Sequence, residues 1–177
     1  MTKSTKRTHP TANDLIDALD IYFPEVNFAT FRELNVEGPD EGHNLGKGPS
    51  FSRIDYWAMT HFNSLPPRRE IAGSIYAIEV KVDRSDFTKE LKIPHKQRWA
   101  LMYSNLFYYC APRGLIHPQE LPPYAGLMEY ENGSITRTIE APWHDAMPPR
   151  WTFVASLLAP WSRTKRLSRH SKANEER

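Results

Sequence analysis

A chain of 177 residues with 40% hydrophobic and 12% aromatic content has the composition of one globular domain, which excludes a fibrous or wholly disordered protein. The formal net charge of +2 is unevenly spread: basic residues crowd the two ends and leave the middle with 14 basic against 19 acidic residues. No apolar run reaches the roughly eighteen residues a bilayer span requires, and the charged MTKSTKRTHP start is followed by no apolar secretory segment.

Residues 1–10 carry Lys3, Lys6 and Arg7 without an acid, and read as a basic, flexible N-terminus. Thr11 or Asn13 is placed to cap a helix over about 13–22, where Leu15, Ile16, Leu19 and Tyr22/Phe23 recur at helical spacing before Pro24 stops it. Val26–Val36 is rich in aromatic and β-branched residues and reads as a strand. The segment 37–50, dense in Gly, Pro and polar residues, reads as a loop. A second strand is expected over Phe51–Thr60, then a long Pro- and Arg-containing connection, then a third strand over Ser74–Asp83.

Helices are expected from Ser85, itself a plausible cap, to Lys92, and from Pro94 to Tyr103. Asn105–Ala111 is short, apolar and aromatic, as a strand covered on both faces would be. Tyr124–Tyr130 reads as a last strand closed by the turn Glu131-Asn132-Gly133, and a helix follows over 150–159. Three strands in succession, then helix and strand, predict an α/β (α+β) domain over 11–161: a mixed central sheet flanked by helices. Residues 162–177 hold six basic residues against Glu175 and Glu176, and read as a solvated tail. Basic tails suit a polyanion through counterion release, but are also common on ordinary termini.

The single cysteine, Cys110, cannot make an internal disulfide, so a reducing intracellular (cytoplasmic) setting is expected. One cysteine and seven histidines without zincin spacing leave no zinc-site pattern. The chain has no P-loop, no G-x-G-x-x-G and no G-x-S-x-G. Nucleotide hydrolysis, dinucleotide redox chemistry and serine-esterase chemistry are therefore not expected.

What remains is a set of charges in apolar strands. Along Ser74–Asp83, Tyr76, Ile78, Val80 and Val82 form one apolar face, whereas the other runs Ile75, Ala77, Glu79, Lys81, Asp83. A carboxylate and an ammonium on a covered strand are costly without compensation. A divalent cation would compensate; so would a plain Glu79–Lys81 ion pair. The neighbouring strand holds Asp55 among Ile54, Tyr56, Trp57 and Ala58, although Asp is disfavoured in strands. If the two strands pair, Asp55 and Glu79 approach, and their repulsion calls for a cation. Two carboxylates and one backbone carbonyl, that of Val80, suit Mg²⁺ or Mn²⁺. Lys81 beside that ion is placed to orient or deprotonate a water, or to steady charge on a phosphate.

An Asp on one strand, Glu-x-Lys on the next, and this helix–strand–strand–strand–helix–strand order resemble the PD-(D/E)XK nuclease superfamily. The run AIEVKVDRSDF, then LFYYCAP and LPPYAGLMEY, is most similar to the MmcB-like DNA-repair endonucleases: Arg53, Asp86, Phe87 and Gly126-Leu127 stand at comparable positions over roughly 51–130. The resemblance implies a restriction-endonuclease-like fold with an αβββαβ core. It also implies Mg²⁺- or Mn²⁺-dependent hydrolysis of phosphodiester bonds in nucleic acid, with DNA favoured. Asp55, Glu79 and Lys81 would be the catalytic centre. Asp55 is preceded by Ile54 where many relatives have proline. Many relatives also place a further polar residue on the following helix; Gln97 is the candidate here, although Leu101 rather than tyrosine lies four residues on.

Arg53, Arg68, Arg69, Arg84 and Lys96 are candidates for phosphate contacts that position a backbone without reading bases. Glu33, Asp14, Asp17 and Asp86 are secondary acidic candidates, each with an ordinary strand-surface or helix-cap alternative. A homodimer is compatible with this class. The alternatives to a nuclease are a non-catalytic nucleic-acid-binding module on the same fold, or a scaffold in which Glu79 and Lys81 are a surface ion pair. The latter predicts Asp55 far from Glu79.

Overall fold

A computed structural model describes residues 9–37, 51–61, 73–93 and 96–158. Helix α1 (Ala12–Tyr22) starts where Thr11 closes a capping box: the Thr11 hydroxyl accepts the Asp14 N–H at 3.3 Å while the Asp14 carboxylate accepts the Thr11 N–H at 2.7 Å. Strands β1 (Phe28–Glu37), β2 (Phe51–Thr60) and β3 (Ile75–Val80) follow. Then come α2 (Arg84–Leu91), the short α3 (Arg98–Met102), β4 (Leu106–Pro112), a 3-10 turn at Pro118–Glu120, β5 (Ala125–Glu131) and β6 (Ser134–Ile139). A final helix, α4, covers 151–158.

The strands form one six-stranded mixed sheet in the order β1-β2-β3-β4-β5-β6. β2 is antiparallel to both β1 and β3; β3, β4 and β5 are parallel, and β6 returns antiparallel to β5. The domain is therefore mixed α+β with helices flanking a mixed sheet, as its element order predicts.

Two cores flank that sheet. On one face Leu15, Ile16 and Leu19 of α1 pack with Tyr56, Tyr76, Ile78, Tyr108 and Met128. On the other, Phe87, Trp99, Ala100, Tyr103 and Phe153 cover Trp57, Ala77, Phe107, Tyr109 and Leu127. The Trp57 indole N–H donates to the Tyr103 carbonyl at 3.1 Å, so this fully buried ring keeps no polar debt. Tyr103 and Phe153 stack at 4.2 Å and 13°, which ties α4 to the second core.

Several boundaries differ from the sequence reading. β3 stops at Val80, not Asp83, because Asp83 turns to cap α2 and accepts the Ser85 N–H at 2.6 Å. Asp83, not Ser85, is thus the cap. α3 is only five residues long. Tyr124–Tyr130 is not the last strand: the turn at Asn132 and Gly133, both with positive φ, leads into β6 as a hairpin. Residues 1–8 of the N-terminal segment, the whole C-terminal tail, most of the 37–50 loop, Arg68 and Arg69 lie outside the described residues. Among the described residues no helix is long and apolar enough to cross a membrane.

Candidate active site

The β1–β2 ladder carries one irregularity. Glu33 lies in the left-handed region at φ 50°, and the paired register passes from Arg32↔Tyr56 to Leu34↔Ile54 without joining Glu33 to Asp55. Side-chain alternation slips there: Phe31 and Trp57 face the α2 side, and so do Leu34 and Ile54. Asp55 sits at this slip. Its Oδ2 accepts the Val80 N–H at 3.0 Å, so a carboxylate satisfies a backbone donor at the end of β3. An Asp in an apolar strand is accommodated because it takes the place of a ladder carbonyl.

The β2–β3 ladder ends at Tyr56↔Ile78, and Asp55 and Glu79 are the next residues on the two strands. Both line a cleft of about 310 Å³ at the carboxyl end of β3, with Glu33, Arg53, Val80, Lys81, Val82, Asp86, Lys96 and the first turn of α1. The Glu79–Lys81 ion pair of the scaffold alternative is present at 2.8 Å, but it is buried and shares the cleft with Asp55.

Glu79 is buried, and its carboxyl is pushed up from 4.5 to about 7, first by burial and then by the Asp55 charge; Lys81 pulls the other way. Lys81 is buried too. Its ammonium lies 2.8 Å from Glu79 Oε1 and 2.7 Å from Glu90 Oε2. Burial acts to discharge Lys81, but the Glu79 and Glu90 charges and hydrogen bonds outweigh it and hold its pKa above the ordinary lysine value. Lys81 is therefore an ammonium donor, and a role as a base for water is disfavoured.

Glu90 is the residue sequence reasoning missed. It lies on the buried side of α2 with Phe87. Lys96 and the Gln97 side-chain amide both donate to its carboxylate, and Tyr109 lies beside it. Burial acts to raise the Glu90 pKa, but hydrogen bonds from Lys81 and Lys96 hold it below the ordinary range. Of the two acids on Lys81, Glu90 is held toward its charged form and Glu79 toward its neutral one. The only local sequence signal was a Glu three residues after a buried Phe, on the face a helix turns inward.

Of the expected site residues, Arg53, Asp55, Glu79, Val80, Lys81 and Lys96 come together at the cleft. Val80 contributes its N–H to Asp55. Arg53 reaches Glu33 at 3.1 Å and Asp55 at 3.4 Å. Gln97 is buried behind the cleft wall on Glu90 rather than facing the cleft. Arg84 is turned away, donating to the Leu115 carbonyl at 2.8 Å and pairing with Glu120. Asp14 is used by the α1 cap and Asp17 pairs with Arg32 at 2.8 Å, while Glu33 and Asp86 do line the cleft.

Among the described residues no group of three or more His, Cys, Asp or Glu side chains is gathered as a metal cage. Mg²⁺ does not require one: it keeps several waters and is commonly held by one or two carboxylates plus substrate phosphate. Asp55 and Glu79 fit that demand, and the raised Glu79 carboxyl marks a place where added positive charge is favourable.

No protein-family model matches the chain, and no curated protein matches it. Among solved structures, the SPO1766 protein of unknown function from Silicibacter pomeroyi is similar over 92% of this chain and 94% of that one. The TM-score is 0.59 at 17% sequence identity, a likeness of fold alone.

Proposed function

We propose that this protein is a metal-dependent nuclease of the PD-(D/E)XK type, acting on phosphodiester bonds of nucleic acid, with DNA the favoured substrate. The observation that carries the reading is the convergence of Asp55 and Glu79, from adjacent antiparallel strands, on one cleft with the Lys81 ammonium alongside. A scaffold has no use for two carboxylates on one cleft, one of them pushed up to about 7, first by burial and then by the charge of the other.

In this reading Asp55 and Glu79 hold Mg²⁺ or Mn²⁺. When bound, that ion supplies Lewis-acid polarisation of the phosphodiester and makes water a better nucleophile. Lys81 donates hydrogen bonds to the phosphate or the attacking water and stabilises charge developing on the phosphoryl oxygens. Asp55 has a second duty, since it fixes the end of β3 through the Val80 N–H. Arg53, at the cleft mouth and 56% exposed at its side chain, is free to exchange Glu33 for a backbone phosphate.

The test is cleavage of supercoiled, linear and single-stranded DNA with Mg²⁺ or Mn²⁺, comparing wild type with Glu79→Ala and Lys81→Ala. Metal-dependent cutting lost in both variants is the expected result, with a fall of at least about a hundredfold for Lys81→Ala. A folded wild type that binds DNA in a salt-sensitive way yet never cuts would overturn the catalytic reading in favour of a binding module.

A further inference from the structure

We infer that Glu90 is a positioning residue that holds the Lys81 ammonium in place when a cation or substrate claims Glu79. The catalytic part of this inference rests on the nuclease reading; the positioning part does not.

Lys81 Nζ has two carboxylate partners, Glu79 at 2.8 Å and Glu90 at 2.7 Å. They differ in what surrounds them. Glu79, though buried, lines the cleft, whereas Glu90 does not. Both Glu90 oxygens are engaged, Oε2 by Lys81 and Lys96 and Oε1 by Gln97. A fully engaged carboxylate on a rigid helix is a fixed anchor; a shared carboxylate at the cleft wall is not.

A cation at Glu79 would compete with Lys81 for the Glu79 charge and repel the ammonium beside it. With Glu79 as its only partner, Lys81 would lose its hold when it is needed. Glu90 removes that conflict. It also accounts for a charged residue on the buried face of α2, next to fully buried Phe87, where an apolar side chain would avoid the desolvation cost. Lys96, at 3.5 Å from Glu79 and also bound to Glu90, compensates the second negative charge from the solvent side.

The test is lysine footprinting by reductive methylation with formaldehyde and cyanoborohydride, read residue by residue by mass spectrometry, on wild type, Glu90→Gln and Glu90→Asp. Each is labelled with and without Mg²⁺, and exposed Lys89 serves as the internal reference. Lys81 in wild type is expected to label slowly in both conditions. In Glu90→Gln its labelling rises roughly tenfold, the loss of one charge-assisted hydrogen bond, and rises further with Mg²⁺. Glu90→Asp, which keeps the charge but withdraws it by one methylene, lies between, and it carries the comparison if Glu90→Gln does not fold by circular dichroism. Lys81 labelling equal to wild type in a folded variant, with and without Mg²⁺, overturns the inference. For cleavage, Glu90→Gln lowers kcat roughly tenfold and leaves KM unchanged. A wild type that never cuts sinks the nuclease reading, while the footprint still decides what Glu90 does.

Discussion

Replacing Glu79 by Gln separates the electrostatic cost of the site from its packing. The folded protein holds the Glu79 carboxyl at about 7 against an ordinary 4.5, chiefly through burial and the Asp55 charge. A carboxyl whose folded pKa is raised contributes stability that is fully present below the unfolded pKa and is lost as pH climbs through the folded one. Between about pH 4.5 and 7 the native state binds more protons than the unfolded chain, so wild type weakens as pH rises; the full shift corresponds to about 3 kcal/mol. Glu79→Gln carries no such proton. Its lost Lys81 ion pair adds an offset, so the diagnostic quantity is the difference in slope. From about pH 5 to pH 8 the metal-free variant should gain up to about 3 kcal/mol on wild type, or about 6–12 °C in Tm for a domain of this size. Mg²⁺ at pH 8 should return stability to wild type alone, by about 2.7 kcal/mol at a hundredfold excess over Kd. Thermal melts at both pH values, with and without Mg²⁺, measure all four quantities. Parallel pH profiles for the two proteins, or equal stabilisation of both by Mg²⁺, would refute the reasoning.

Two further predictions concern the frame around the site. A Cβ at Gly126 would lie 2.6 Å from the Ala141 backbone nitrogen and overlap the Tyr108 ring, so Gly126→Ala should lower the urea midpoint by the equivalent of about 2–3 kcal/mol. An unchanged midpoint would mean that β5 does not approach Tyr108 this closely. Glu33→Gly should be neutral or stabilising by up to about 1 kcal/mol in denaturant melts, although glycine inside a strand usually costs about that much, because φ 50° suits glycine. A loss of more than about 1 kcal/mol would show that Glu33 is not strained.

Much of this arrangement was legible in the sequence because its signals are local. The Thr11 cap, the limits of β2 and the Glu-x-Lys pattern of β3 are written in adjacent residues. β6 was missed because a six-residue edge strand has little to hide: SITRTI alternates exposed and half-buried positions and spends few apolar residues. The expected β3 runs three residues past its carboxyl end at Val80 because Val82 continues the alternation, although Asp83 is already capping α2. Glu90 was illegible for a different reason. Its partners Lys81, Lys96 and Gln97 come from the segments either side of α2, and only the folded chain brings them to one carboxylate.

The slip at Glu33 and Asp55 connects these observations. Regular pairing would give the Val80 N–H a backbone partner on β2 and leave the Asp55 carboxylate without a structural task beside Glu79. The left-handed Glu33 removes one step of the ladder, at a cost on the order of 1–3 kcal/mol. In exchange the Asp55 carboxylate itself takes the Val80 N–H, which fixes one oxygen and leaves the other toward Arg53 and the cleft. Glu79 pairs with Lys81 at the cleft, and Lys81 is held in turn by Glu90. Asp55 and Lys81 are thus each held by a partner, the Val80 N–H and the Glu90 carboxylate, that does not need to let go when the cleft is filled, which is the property the proposed catalytic site requires and a surface ion pair lacks.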